Sequence, residues 1–420
     1  MYKIEINGKN IKRGGYLMNL TSGNLYWNKK DKIKKTYPYV TEDLKCDILV
    51  VGGGITGAIT AYFLAKEGMN VVLCEKNIVG YGSTSATTAL LEYQVDVDLY
   101  KLEKMIGSHN AKKIYELCLE AINDIDMIDK ELGKKTEFRR KSALYYTNKF
   151  MQKGNIVKEY EARKSSNFNV KYVDNNDTIN LSAGILTTNG SADVNPYKFT
   201  TELIEYLNNM SNVKVFENTE IRDVKCSYDT TTCLTNNRFR IRSDKIIFCT
   251  GFDTLKYTKL PNATLYKTFS LVTKPISALS KLDTSFTGRD MCDPYHYIRF
   301  TKDNRIIFGG EDVKINNKMT EEEYMRNLAN DKYNKLYSHL NKLLYSISDI
   351  DVECAFNGTF ADTTDTLPII DELQNMPNCF CNLGFGSNGI LYSVIGAKML
   401  KDAVKGLYTK DMNMFKIDRK

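Results

Sequence analysis

Residues 46–75 carry the clearest alternation of apolar and polar blocks in the chain. Ile48-Leu49-Val50-Val51 is a short continuous apolar run, as a strand buried on both faces of a parallel sheet requires. The loop Gly52-Gly53-Gly54-Ile55-Thr56-Gly57 follows, and residues 58–66 read as a helix stopped at Gly68. Val71-Val72-Leu73-Cys74 is a second buried strand, which completes a strand–helix–strand unit of about 30 residues. Two further apolar strands come later, at 246–249 and 380–383. Between them, over about 260–315, the period changes to alternating strands such as 295–301 and 305–308. Helical periodicity marks about 98–132 and 320–345. The expected fold class is α/β: a Rossmann-like nucleotide domain assembled from separated segments, with an antiparallel-sheet substrate domain of α+β type inserted into it. The expected division gives 45–95, 190–258 and 350–420 to the first and 96–189 and 259–349 to the second. Residues 1–44, polar and poorly periodic, read as an N-terminal extension.

Composition narrows the setting. The 420 residues are 42% hydrophobic and 26% charged, enough apolar material for two cores. No apolar run approaches the roughly 18–20 residues that span a bilayer, and the N-terminus lacks a basic start followed by an apolar stretch. Ten scattered cysteines with no Cys-x-x-Cys pair point to a reduced, cytoplasmic protein. The net charge of +7 is modest, and the run Lys29-Lys30-Asp31-Lys32-Ile33-Lys34-Lys35 reads as a solvated segment. No nucleic-acid or membrane partner is therefore expected. The three histidines, His109, His296 and His339, are dispersed along the chain, so no metal site is expected. Lys12-Arg13-Gly14-Gly15 is what a purine-rich ribosome-binding sequence just ahead of Met18 would encode, which leaves the start open between Met1 and Met18.

The glycine loop has a definite physical job in this context. Gly52 permits a tight turn, Gly54 lets the backbone approach a pyrophosphate, and Gly57 lets helix and strand pack closely. Ile55 and Thr56 open the helix, whose N-terminal amides and dipole favour phosphate. Glu75 ends the second strand 21 positions after Gly54, where a carboxylate accepts hydrogen bonds from ribose hydroxyls. Lys76 beside it joins the candidate nucleotide contacts.

Four further segments resemble the FAD-dependent D-amino-acid oxidase superfamily, the group containing sarcosine oxidase, glycine oxidase and gamma-glutamylputrescine oxidase. They are Gly80-Tyr81-Gly82-Ser83-Thr84-Ser85-Ala86; Ala192-Asp193-Val194-Asn195-Pro196-Tyr197 with the return at 217–224; Cys249-Thr250-Gly251; and the C-terminal pair Thr363-Thr364-Asp365-Thr366-Leu367-Pro368 and Gly384-Phe385-Gly386-Ser387-Asn388-Gly389-Ile390. The resemblance covers about residues 46–408 and implies a glutathione-reductase-type FAD domain. It implies that Gly82, Ser83, Thr84 and Ser85 pass the pyrophosphate and flavin, that the Ile221 backbone meets the adenine, and that Thr250 and Gly251 lie against the cofactor. It also implies that Gly386, Ser387, Asn388, Gly389 and Ile390 lead a helix toward the flavin edge that becomes negative on reduction. One departure is Thr366, where the family's turn has glycine.

Other departures bear on chemistry. The family's covalent attachment positions fall at Gly358 and Ala86, so noncovalent FAD is expected. The arginine that clamps a substrate carboxylate falls at Phe360, which counts against simple amino acids. Tyr297 matches a tyrosine lining the family's substrate cavity, and Arg299 should share its face. These two, with Asn388, are the catalytic candidates. The lysine that promotes reaction with oxygen in sarcosine oxidase falls at Ile307, and a nearby catalytic histidine at Glu311. His296 is expected to face away from the cavity. The implied activity is oxidation of a primary or secondary amine by hydride transfer to flavin N5, with hydrolysis of the imine. The partners are that amine and oxygen or another electron acceptor. The alternative is an N-methyl- or D-amino-acid oxidase or dehydrogenase anchored by Arg299. Nucleic-acid base modification and a non-catalytic flavin-binding partner are remote alternatives.

Overall fold

The computed structural model describes residues 10–13, 16–19, 21–257, 263–384 and 386–419. Met1, Gly14, Gly15 and Phe385 lie outside the described residues, so the expectation about the chain start falls largely there.

Two large sheets organise the molecule. In the smaller, strands Val213–Phe216, Val71–Cys74, Leu44–Val51, Arg240–Phe248 and Cys379–Leu383 run parallel in that order. Apart from Leu44 at a strand end, their Val, Ile, Leu and Cys side chains are buried on both faces, as continuous apolar runs demand. The helix Ile55–Lys66 follows the first glycine loop, and it is buried nearly all round. It packs with Pro196–Asn208 and Gly389–Ala403 in one apolar layer. Cys46, Leu49, Val72, Phe248, Cys379 and Cys381 face the other side, towards Ile221 and Cys233 of an antiparallel hairpin. All ten cysteines are free thiols.

The larger sheet is mixed and ten-stranded, in the order Thr21–Gly23, Val352–Thr363, Ala263–Thr273, Ile306–Lys314, His296–Phe300, Phe286–Asp290, Arg139–Thr147, Ala183–Asp193 and Leu90–Glu92, with Val170–Val173 paired outside the path. Apart from Phe286–Asp290 against Arg139–Thr147, the pairs are antiparallel. The amphipathic helix Glu322–Leu343 covers one face through Leu336 and Leu340, against Phe269, Leu271, Ile298 and Phe308. The opposite face meets the nucleotide-type sheet across a cavity.

One local irregularity shapes that cavity. Opposite Thr268 the strand Ile306–Lys314 carries two residues, Glu311 and Asp312, where regular pairing would place one. Gly310 and Glu311 both have positive φ, 134° and 58°. This bulge breaks the alternation and sends Glu311 and Asp312 to different surroundings.

The N-terminal segment differs from expectation. Residues 21–44 are built into the fold: Thr21–Gly23 pairs with the strand Val352–Thr363, and Trp27 is 1% exposed with its Nε1 donating to Thr87 O at 2.7 Å. The anchors Tyr26 and Trp27 open a helix of only five residues, Tyr26–Lys30, and Tyr37 and Val40 are buried beyond it, so no repeat was long enough to reveal them. The lysine run lies at the surface as expected, though Lys29, Lys30 and Lys34 each pair with a glutamate.

Candidate functional site

The glycine loop forms one end of a cavity of about 860 Å³ between the sheets. Gly52 has φ +111°, and a Cβ there would lie 2.7 Å from Cys249 O. At Gly57 a Cβ would lie 1.8 Å from Gly52 O, so the turn closes only with glycine. Gly54 is the N-cap of Ile55–Lys66 and brings no capping side chain. A Cβ on it would meet only Thr84 Oγ1, at 3.2 Å. Ile55 N donates to that Oγ1 at 3.0 Å, and the other first-turn amides lack partners within the helix. Gly54, Ile55 and Thr56 line the cavity, whereas Gly53 and Gly57 stand behind its wall.

Around this cradle the other nucleotide candidates gather. Glu75 lines the cavity, with its Oε2 accepting from Gly53 N and its Oε1 from Asn77 N, both at 2.8 Å. Burial raises its carboxyl above the usual range, partly offset by those amides. Lys76 lines the wall paired with Asp253. Gly82, Ser83 and Thr84 line it too, while Ser85 sits behind and donates to Gly80 O at 2.7 Å. Ile221, Thr250 and Gly251 reach the same space. The Ile221 carbonyl accepts from Tyr257 at 2.9 Å, and Gly251 has φ +55°.

The last glycine loop supplies a second helix N-terminus. Gly386, Ser387, Asn388, Gly389 and Ile390 all line the cavity, and the helix Gly389–Ala403 starts there without a side-chain cap. Asn388 donates instead to Gln94 O at 2.7 Å, and Ser387 to Asp96 at 2.5 Å. A Cβ on Gly384 would meet Gly389 O at 2.3 Å. A long cavity with glycine cradles and uncapped helix ends fits a dinucleotide with an anionic middle, and the residues present suit FAD.

Ala86 and Gly358 are neighbours on this wall: a Cβ on Gly358 would sit 3.4 Å from the Ala86 Cβ. Phe360 lines the cavity as well, stacked on Tyr266 with centroids 5.7 Å apart.

Beyond the cradle, Tyr297 lines the cavity with its hydroxyl 3.1 Å from Thr268 Oγ1 and its ring against Gly309. Burial pushes its phenol up to about 12. Arg299 is not at the cavity, which corrects the expectation for it. Its Nη1 donates to the carbonyls of Thr88, Ala89 and Val194 at 2.7, 3.0 and 3.0 Å. Its Nε lies 3.6 Å from Asp193, and Trp27 covers its guanidinium. Arg299 does share a face with Tyr297, but two residues along a strand is roughly 7 Å, far enough to pass beneath the covering segment. Ile307 is buried in an apolar cluster, away from the cavity. Glu311 turns towards His296 and Lys332.

The polar groups that do reach the cavity include three that sequence reasoning missed: Arg289, Tyr295 and Asp312. Arg289 stacks 4.1 Å above Tyr295, donates to Val95 O and Asp96 O, and pairs with Asp96 Oδ1 at 3.1 Å. Its Nε is buried with no hydrogen-bond partner among the described residues. Asp312 lines the cavity, and its Oδ1 is buried with no hydrogen-bond partner among the described residues. Burial, with Asp96 adding, pushes its carboxyl up to about 7. Asp362 nearby is likewise raised to about 7 by burial and Asp96, with one oxygen unpartnered. Tyr295 was legible from strand alternation, two residues before Tyr297. Arg289 is the register partner of Tyr297 across the hairpin, and Asp312 depends on the bulge. Neither has a local signal.

His296 faces away from the cavity, but two of the three histidines meet in space. The rings of His296 and His339 lie with centroids 4.0 Å apart, beside Asp290 and Cys292. Dispersal along the chain, on which the expectation of no metal site rested, does not hold in space for these two.

Comparison with known proteins agrees with this geometry. Residues 47–403 match the family described as FAD dependent oxidoreductase, DAO. A Bacillus subtilis protein named putative Rieske 2Fe-2S iron-sulfur protein YhfW is 27% identical over 90% of this chain and 72% of its own length. Glycine oxidase from Geobacillus kaustophilus superposes with a TM-score of 0.73 at 18% identity, over 90% of this chain and 99% of that one. L-proline dehydrogenase from P. horikoshii gives 0.72 at 17% identity, over 90% and 98%. With the dinucleotide cradle and both helix ends in place, the chain belongs to the DAO family of FAD-dependent oxidoreductases.

Proposed function

We propose that this protein oxidises the C–N bond of a primary or secondary amine, giving an imine that hydrolyses to a carbonyl compound. The observation that carries the reading is Asp312, a carboxylate on the cavity wall whose buried Oδ1 has no hydrogen-bond partner among the described residues. A substrate ammonium beside that wall would pair with the Asp312 charge. The cavity's arginine does not tip the balance towards anions, because Asp96 already neutralises Arg289.

Bound FAD supplies a two-electron acceptor. The loop 52–57 and its helix would hold the pyrophosphate, Glu75 the ribose, Ile221 the adenine, and residues 386–390 the flavin ring. The separated segments carrying these groups form the FAD domain, and the larger sheet's inner strands form the substrate domain. Tyr297 and Phe360 exclude water and orient the amine; Asn388, held by Gln94, keeps the last loop in place. Binding of FAD is noncovalent on this reading, since Ala86 and Gly358 offer no bond-forming side chain, and acid precipitation should release all of it. The acceptor is oxygen or another oxidant. Ile307 stands at the family's lysine position, so the lysine that promotes reaction with oxygen in sarcosine oxidase is missing there, which favours another acceptor. Nucleic acid and membrane have no part in the reading, and the ten free thiols suit the cytoplasm.

A second reading keeps an amino-acid substrate, N-methylated or D, anchored by Arg289 in place of Arg299. The guanidinium of Arg289 on the cavity wall favours it. Anaerobic titration with a panel of amines, diamines and amino acids separates the two. Bleaching of the flavin by amines without a carboxylate supports the first, and bleaching by amino acids alone refutes it. Admission of air then shows whether peroxide forms.

A further inference from the structure

We propose that Asp290, Cys292, His296 and His339 form a structural site for a zinc-type transition-metal dication, which clamps the substrate-facing hairpin to the helix Glu322–Leu343. One donor atom from each of the four residues lies within 4.8 Å of every other. Tetrahedral zinc, with bonds of about 2.0–2.3 Å, sets its ligands roughly 3.3–3.8 Å apart. Asp290 Oδ2 is 2.8 Å from His296 Nδ1 and 3.6 Å from His339 Nε2, and the donors span up to 4.8 Å, so closure needs shifts of about 0.5–1 Å. Two nitrogens, a thiolate and one carboxylate oxygen suit zinc or its transition-metal neighbours and exclude calcium and magnesium, which take oxygen sets.

The surroundings are organised as a ligand set needs. The second oxygen of Asp290 accepts from the amides of Cys292 and His296, at 3.0 and 2.8 Å, which fixes three of the four ligands on one loop. The outward nitrogen of His296 lies 3.4 Å from Glu311, and Glu311 is held by Lys332 at 2.8 Å. A carboxylate behind a ligating histidine orients the ring and raises its basicity. The positive-φ bulge delivers Glu311 to that place. Phe308 stacks flat against His296 and gives the site an apolar wall. Asp290 and His296 are buried, whereas Cys292 and His339 are partly open, which leaves a route in. Binding displaces the thiol proton of Cys292 and the ring proton at His296 Nδ1.

The position gives the metal a purpose. Asp290 adjoins Arg289, and His296 lies between Tyr295 and Tyr297; these three neighbours line the cavity on the opposite face. A metal on the helix side would therefore stiffen the wall that meets substrate, without touching substrate or flavin.

The test reads metal content and needs no turnover, so it is independent of the amine reading. Flavin-loaded protein is stripped with a chelator, titrated with zinc, desalted and analysed for metal; a parallel sample takes cobalt. About one zinc per chain is expected, with a thiolate-to-cobalt charge-transfer band. Cys292→Ser and His339→Ala should lose the metal while keeping wild-type flavin content, which shows that they fold. Glu311→Gln should weaken zinc binding by about 10- to 100-fold. Wild-type protein that retains no more zinc than the two ligand variants overturns the proposal, as does a cobalt complex without the thiolate band.

Discussion

Replacing Asp312 by asparagine isolates the charge that the cavity presents to an amine. The side chain keeps its size and loses only the carboxylate, so a change in substrate binding reports on charge. A charge-assisted hydrogen bond from a substrate ammonium contributes about 1.5–3 kcal/mol. The expected loss in amine affinity is therefore about 10- to 150-fold above neutral pH. The pH dependence is sharper. With the Asp312 carboxyl at about 7, roughly a tenth is ionised one unit below and nine-tenths one unit above. Wild-type affinity should rise about tenfold per pH unit below that point and level off above it, and Asp312→Asn should flatten the limb. Stability should move the opposite way. The folded carboxyl is raised above its unfolded value, so the folded state holds the extra proton, and stability falls as pH rises from about 4 to about 7. Asp312→Asn removes that group's share of the fall, while Asp362, raised to the same value, keeps its own. Anaerobic stopped-flow reduction across pH 5–9, fitted for the amine dissociation constant, checks the first part, and thermal melts across the same range check the second. Unchanged affinity and an unchanged pH limb in Asp312→Asn would refute the assignment of Asp312 as the ammonium partner.

Three other substitutions probe separate parts of the structure. Arg299→Met leaves Asp193 buried with less compensation and three carbonyls without their donor, so it should cost about 3–5 kcal/mol in a denaturant melt. The surviving folded protein should bind amine normally; a lost affinity with normal stability would restore Arg299 as an anchor. Gly57→Ala drives a Cβ to 1.8 Å from Gly52 O, so the glycine turn must open and purified protein should carry little or no FAD by absorbance. Thr366 sits at φ 60°, unfavourable for a β-branched residue, and its hydroxyl is unpartnered. Thr366→Gly should raise stability by about 1 kcal/mol, read as a higher melting midpoint.

The Thr366 turn also shows how a departure from the family pattern is accommodated. Arg419 grips Asp365 through two nitrogens, at 2.7 and 2.8 Å, and donates to Leu367 O and Pro368 O. A residue 53 positions away in sequence thus holds a turn that glycine would make unaided. The arginine gave no hint of this in the sequence, because its partners are carbonyls and one carboxylate far along the chain.

What the sequence determined by itself was local and steric. A buried strand, a turn that tolerates no Cβ and a helix start occupy consecutive residues, so 48–75 could be read directly, whereas Gly386–Ile390 was reached through the family resemblance. Strand alternation was legible too: with Tyr297 at the cavity by family resemblance, it turned His296 away. Only the tertiary structure decided which residues on a correct face reach the cavity. Arg299 and Tyr297 share a face, yet the segment 87–89 covers one and leaves the other open. A bulge, invisible to a period of two, brought Asp312 inward. His296 and His339 stand 43 residues apart in sequence and in van der Waals contact in space, because a hairpin and a helix meet there. Periodicity records how each element repeats, whereas the site consists of contacts between elements, and those are set by packing.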